Sequence, residues 1–270
     1  MELPAIQKGA GAKRNLLGYC NRNPLSSIIA WKGQNMYELQ SRVRYSELDA
    51  DARLSIVGIM NYLQDCSTLQ SEDCGVGLDW LEKEKRAWLL SSWQIQIRER
   101  PKLGEYITVA TWPYEIKGIY AMRNFVILNE QREYLVQANS CWFLYDTEAG
   151  RPVRIMRSDV EKYGAEEPRL EMDYAPRRIL LPDNMTEAGR LTILRHQIDT
   201  NHHVNNAQYV DIAREVIPAD IKIRQIRAEY KKAAVLGDEV VLKAAATAGG
   251  YVVSLCSEDG SIFANIELTD

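Results

Sequence analysis

Hydrophobic positions along the chain fall into two successive sets with the same order. Ile56, Ile59, Met60 and Leu63 recur at helical spacing, and Trp93, Ile95 and Ile97 then alternate ahead of a Leu103-Gly104-Glu105 turn. Further along, Tyr209, Ile212, Ala213 and Val216 repeat the helical spacing, and Ile226, Ala228 and Tyr230 alternate ahead of Leu236-Gly237-Asp238. Each helix is preceded by an aliphatic residue and an aspartate, Leu48-Asp49 and Ile198-Asp199, 150 residues apart, with another aliphatic residue six positions on, Leu54 and Val204. At the turns the offset is 133, so the second set lacks about 17 residues after its helix. The surplus of the first set falls at Ser71–Leu89 and reads as a helix extension plus a short second helix.

Alternation predicts further strands at Tyr106–Trp112, Met122–Leu128 and Tyr134–Tyr145, and again at Val240–Ala246, Tyr251–Cys256 and Ser261–Leu268. Glu258-Asp259-Gly260 joins the last two as a hairpin, and an Ala-Asn pair recurs in the closing strands, Ala138-Asn139 and Ala264-Asn265. A helix followed by its own antiparallel sheet must bury its apolar stripe on that sheet. The expected fold is therefore α+β: two tandem helix-plus-antiparallel-sheet repeats, joined edge to edge into one extended sheet with both helices on its concave face. The repeats take residues 37–147 and 184–270. Residues 148–183 are charged, hold four of the nine prolines and read as a linker wrapped over the outside. Residues 1–36 read as a flexible arm, or as an upstream extension of a chain starting at Met36, rather than as an organellar transit peptide.

Composition then narrows the class. The 270 residues are 46% hydrophobic and 26% charged, with a mean hydropathy of −0.32, and no apolar run approaches the roughly 20 residues of a membrane span. The net charge of −4 argues against nonspecific nucleic-acid binding. The arm holds five basic side chains against one acid, which leaves −8 on residues 37–270 (−4 less +4). Five scattered cysteines without a CxxC favour a reducing, cytoplasmic setting and argue against structural zinc.

All three histidines, His196, His202 and His203, lie within eight residues, among Asp199, Asn201, Asn205 and Asn206 and just ahead of the second helix. Polar residues are expected there as helix caps. The first repeat, however, carries Asp49-Ala50-Asp51-Ala52-Arg53 where the second has Asp-x-Asn-x-His, so one copy of a duplicated scaffold is chemically equipped. A metal site on the histidines and Asp199 is the other alternative, and the spacing does not favour it. In an extended lead-in, residues 199, 201 and 203 would project to one face, next to helix amides able to hold a carbonyl oxygen.

The run Ile198-Asp199-Thr200-Asn201-His202-His203-Val204-Asn205-Asn206-Ala207-Gln208-Tyr209 resembles the D-x-N-x-H-V-N-N-x-x-Y signature of acyl-acyl carrier protein thioesterases. Arg44–Asp49, Asn61–Asp65 and Gly75–Asp79 resemble its bacterial members, and the likeness spans residues 37–268. It implies a double hot-dog fold, hydrolysis of fatty acyl-acyl carrier protein to free fatty acid in fatty acid biosynthesis, no cofactor and no metal. It also assigns Asp199, Asn201 and His203 as catalytic: Asp199 and His203 to base or nucleophile and orientation work, and Asn201 to fixing the carbonyl or the water. Plant members carry Glu-Cys where this chain has Ala233-Ala234, which excludes a cysteine nucleophile there and leaves Asp199, or Glu229 shifted in register, as the carboxylate.

The acyl pocket is expected between helix and sheet of the first half, with Met60, Leu63, Trp88, Trp93, Ile95 and Ile97 as lining. Arg151, Arg154, Arg157, Arg177-Arg178 and Lys231-Lys232 are candidate contacts for the acidic carrier protein. A monomer or a homodimer would serve. An acyl-coenzyme A thioesterase and a catalytically silent acyl-binding module are the competing readings.

Overall fold

A computed structural model describes residues 36–164 and 166–270; the expected arm, apart from Met36, lies outside them. The first half runs β1 (Tyr37–Arg42), α1 (Ile56–Asp73), α2 (Leu78–Lys83), β2 (Arg86–Ile97), β3 (Tyr106–Lys117), β4 (Tyr120–Leu128) and β5 (Tyr134–Asp146). A short β6 (Arg151–Pro152) pairs with β5, and α3 (Arg157–Val160) follows it. The second half runs β7 (Thr186–Thr192), α4 (Asn206–Arg214), β8 (Gln225–Tyr230), β9 (Glu239–Thr247), β10 (Gly250–Cys256) and β11 (Ile262–Thr269).

The strands form one antiparallel sheet in the order β1-β3-β4-β5-β2-β8-β11-β10-β9-β7, so the second half repeats the first about the β2–β8 seam. There Trp93 faces Ala228, Ile95 faces Ile226, and Gln94 faces Arg227. Gln94 and Arg227 are 133 residues apart, the offset of the repeat itself, so the seam is self-complementary in the way a two-fold dimer interface is. The strand ends reuse the same local solution: Gly104 (φ +83°) and Gly237 (φ +87°) turn the chain through the left-handed region that favours glycine.

The recurring Ala-Asn pair does not occupy equivalent positions in the two halves. Ile95 pairs Ala138 and its counterpart Ala228 pairs Ile266, so Ala138 corresponds to Ile266 and not to Ala264. The recurring Ala-Asn pair is two residues out of step, which preserves its side-chain parity but not its place.

Alternation along each strand separates two faces. Trp93, Ile95, Phe125, Ile226 and Ile266 join Ile59, Leu63, Val210 and Ala213 of the helices in one continuous buried core. The opposite face carries buried polar side chains, and the 153–185 segment satisfies them as it crosses from one half to the other. Trp112 Nε1 donates to the Pro168 carbonyl (2.9 Å), and the Leu170 N–H donates to Asn124 Oδ1 (3.0 Å). At the seam Gln94 donates to the Asp173 carbonyl (2.7 Å) and accepts from the Ala175 N–H (2.9 Å); beyond it the Ile179 N–H donates to Glu229 (3.2 Å).

A candidate active site at the head of the second helix

The Asp199–His203 segment is a tight turn and not the extended lead-in expected from sequence. The Asp199 N–H donates to the His203 carbonyl (2.8 Å), the His202 N–H donates to the Asp199 carbonyl (3.1 Å), and Ile198 bridges Val204. Asp199 Oδ1 accepts the N–H groups of Asn201 (2.8 Å) and His203 (3.3 Å), closing the turn from inside. His202 sits at φ +61°, and its counterpart Ala52 sits at φ +57° in the same turn of the first half. A carboxylate that folds back on two amides favours this turn over an extended strand.

Most of the polar motif has structural work. Asn205 caps α4 by accepting the Ala207 N–H (2.9 Å). The Asn206 side chain donates to Gln64 on α1 (3.0 Å), tying the two halves together, and its carbonyl accepts from Tyr230 (2.9 Å). Tyr209 accepts the Ala234 N–H (2.8 Å). Among the described contacts the side chains of Asn201 and His203 make no hydrogen bond, and the Asn206 N–H at the head of α4 donates to nothing. These are the groups left over for chemistry.

Beside the turn lies a cavity of about 1280 Å³. Asp199, Thr200, Asn201, Asn205 and Asn206 form its second-half wall; α1, α2, the start of β2, parts of β3, β4 and β5, and the segment around Tyr163 form the rest. His203 is half-buried and does not line it. Of the six expected acyl contacts only Trp88 is on the wall; Met60, Leu63, Trp93, Ile95 and Ile97 are buried in the shared core. Their apolar spacing identified a buried face, and spacing alone does not separate core from cavity lining. The sequence reading missed Gln64, Asp65 and Arg123, which also line the cavity. Partial desolvation lifts the Asp65 carboxyl above its ordinary range. The available signal was the polar run at α1 positions 64, 65, 67, 68 and 71, where an amphipathic helix should still be packing its inner face.

The first half contains the same turn with its aspartates paired to arginines. The Asp49 N–H donates to the Arg53 carbonyl (2.9 Å), as the repeat requires. Arg100 pairs with Asp49 (2.9 Å) and also with Asp51, and Arg214 reaches Asp49 as well (3.4 Å). The Leu54 N–H bonds the Pro101 carbonyl (2.8 Å) and the Val204 N–H bonds the Ala234 carbonyl (2.9 Å), which makes Ala233 the counterpart of Arg100. The alanine that breaks the plant pattern is thus also what leaves the second turn unclamped.

Other candidates separate cleanly. Glu229 lies on the outer face, where Lys231, the Ile179 N–H and Asn265 outweigh burial and hold its carboxyl low; it is not a cavity carboxylate. Cys66 is buried, and burial pushes its thiol up to about 12, the opposite of an activated nucleophile. Cys20 lies outside the described residues. Of the basic candidates Arg157 borders the cavity, Arg177 stacks on Tyr120 (4.6 Å), and Lys231 is paired with Glu229. Among the described residues no group of three or more His, Cys, Asp or Glu could hold a metal ion.

The fold has solved counterparts. An acyl-ACP thioesterase from Bacteroides thetaiotaomicron superposes with a TM-score of 0.79 at 22% identity, over 87% of this chain and 97% of that one. A 12:0-ACP thioesterase from Umbellularia californica gives 0.76 at 19% identity, over 88% and 97%. The architecture is accordingly the double hot-dog of those enzymes. Residues 34–163 match the profile of the acyl-ACP thioesterase N-terminal domain and residues 182–263 that of its C-terminal domain. The chain belongs to the acyl-ACP thioesterase family.

Its curated relatives include a chloroplastic palmitoyl-acyl carrier protein thioesterase of Cuphea hookeriana, 24% identical over 77% of this chain and 55% of that protein. A dodecanoyl-[acyl-carrier-protein] hydrolase of Cinnamomum camphora is 24% identical over 77% and 58%. The chain therefore spans about half the length of the curated relatives it matches.

Proposed function

We propose that this chain hydrolyses the thioester of fatty acyl-acyl carrier protein and releases a free fatty acid. The observation that carries the reading is the turn at the head of α4. In a family of thioester hydrolases, it holds Asp199 and Asn201 against a cavity while the Asn201 and His203 side chains stay uncommitted. Thioester hydrolysis needs an activated water and a donor for the oxyanion that develops. The Asn206 N–H, at the positive end of α4, suits the oxyanion. Asn201 fixes the water or the carbonyl. His203 takes the proton from water and returns it to the departing thiolate, and Asp199 holds the turn in shape through Oδ1.

The carrier protein is inferred from the family. The cavity rim carries both signs, with Lys85 and Arg157 against Glu82 and Glu161, so no single charged patch selects the donor. All four described cysteines are free thiols, which supports a reducing, cytoplasmic setting. The seam already supplies internally the pairing that a dimer would provide, which supports a monomer as sufficient.

The test is free-thiol release from a chain-length panel presented as carrier-protein and as coenzyme A thioesters. Preference for the carrier-protein series is expected, and His203→Ala should lower kcat/KM by about 100-fold or more. Better turnover of the coenzyme A series would reassign the donor. Binding of acyl ligands without any release would make the chain a silent acyl-binding module.

A further inference from the structure

The cavity contains a cation that the hydrolysis does not use. Arg123, on the helix-facing side of β4 two residues before Phe125, lines the wall. Its Nη1 donates to Gln70 Oε1 and to Thr111 Oγ1 (3.1 Å), both on buried residues, and its guanidinium carbon lies 5.4 Å from the Tyr163 ring centroid. All three partners are uncharged at neutral pH, and among the described residues no carboxylate pairs with it. Both hydrogen bonds leave from one nitrogen. Nε and Nη2 have no described partner, and no fully enclosed side-chain nitrogen in the described residues lacks one, so those N–H groups open onto the cavity.

Its depth follows from α1. Gln64 touches Asn206 at the reaction site and Gln70 touches Arg123. The six-residue step from one to the other rises about 9 Å along the helix axis, roughly the span of a medium-length acyl chain. A hydrocarbon laid against the guanidinium would strip water from a cation to which no carboxylate is paired, which is strongly disfavoured. A chain that stops short avoids this, and one that presents an oxygen at that depth satisfies the open N–H groups. A site built to hydrogen-bond an oxygen discriminates against the analogue that lacks it.

We propose that Arg123 determines acyl specificity by depth, favouring chains that end before it or carry a hydroxyl beside it over longer plain hydrocarbons. The proposal rests on the thioesterase reading above. The experiment compares kcat/KM across acyl-carrier-protein substrates of increasing length, plus the ω-hydroxy analogue of the first disfavoured length, for the wild type, Arg123→Met and Arg123→Lys. The wild type should fall off at one length and recover at least about tenfold with the hydroxyl.

Arg123→Met should move the fall-off to longer chains, raise the long-to-short ratio by about tenfold or more and lose the hydroxyl preference. Arg123→Lys should keep both features, with the change carried by KM more than by kcat. Arg123→Gln substitutes for the methionine variant if thermal denaturation finds that one unfolded. An unchanged length profile and unchanged hydroxyl response in the neutral variant would overturn the role of Arg123 while leaving hydrolysis intact. No turnover of even the shortest chain by the wild type would instead remove the function on which it rests.

Discussion

Asp49 and Asp199 occupy equivalent places in equivalent turns, yet one is bound by two arginines and the other is open to a cavity. A single position, Arg100 against Ala233, accounts for much of that difference. Ala233→Arg should copy the clamp onto Asp199, lowering kcat/KM by at least about 100-fold while the melting temperature holds or rises. Full activity in a folded variant would show that an unclamped Asp199 is not required.

The pair Glu47 and Gln197 offers a second residue-scale contrast. Both side chains accept the backbone N–H three residues earlier, from Arg44 and Leu194 (2.8 Å each). Glu47 also accepts from Tyr62 (2.8 Å) and pairs with Arg44. Burial alone would raise the Glu47 carboxyl, and the Arg44 and Tyr62 donors outweigh it, so its folded-state pKa is lowered. A carboxyl held low in the folded state adds stability above its unfolded value of about 4.3 and loses it as pH falls through the folded value. Glu47→Gln should therefore melt lower than wild type at pH 7, and the gap should close in acid. A gap that widens toward low pH in thermal melts would contradict this.

At the scale of elements, the two helices start alike and end differently. Ser55 caps α1 by accepting the Gly58 N–H (2.9 Å), and Asn205 caps α4. Replacing either by alanine should cost about 1 kcal/mol of stability, measurable by urea unfolding. Only Asn205→Ala should also depress turnover, because only that cap fixes the proposed catalytic turn; equal effects of both on kcat would refute the distinction. α1 then runs to 18 residues against 9 for α4. The extra turns, together with α2 and the early start of β2, supply Ser67, Thr68, Ser71, Leu78, Leu81 and Trp88 to the cavity wall. The surplus segment of the first repeat builds the chamber, and the second repeat places the proposed catalytic turn at its edge.

The whole molecule depends on the seam. Ile95 and Ile226 face each other there, both wholly buried, in a core shared by α1 and α4. Two halves with a common sheet and a common core should unfold together, so calorimetry should record a single transition with matching calorimetric and van't Hoff enthalpies. Ile226→Ala should lower stability by about 2–5 kcal/mol without splitting that transition. Two separate transitions would mean that the halves fold independently.

The sequence by itself determined the repeat, the helices α1, α2 and α4, the strands β2–β5 and β8–β11, the offsets of 150 and 133, and the motif that marks the second turn. These are periodic or local properties: apolar spacing records which face is buried, and glycine and capping residues record how the chain must bend. The tertiary structure decided what periodicity cannot encode. It turned an expected extended segment into a closed turn and moved Glu229 to the outer face. It also placed Met60, Leu63, Trp93, Ile95 and Ile97 in the core rather than on the cavity, because a buried apolar face looks the same whether a side chain or a substrate fills the space against it. The clamp of Arg100 and Arg214 on Asp49, and the open guanidinium of Arg123, join residues far apart in the chain. Only the closing of the sheet at the seam and the packing of α1 beside α4 bring such groups within reach of one another.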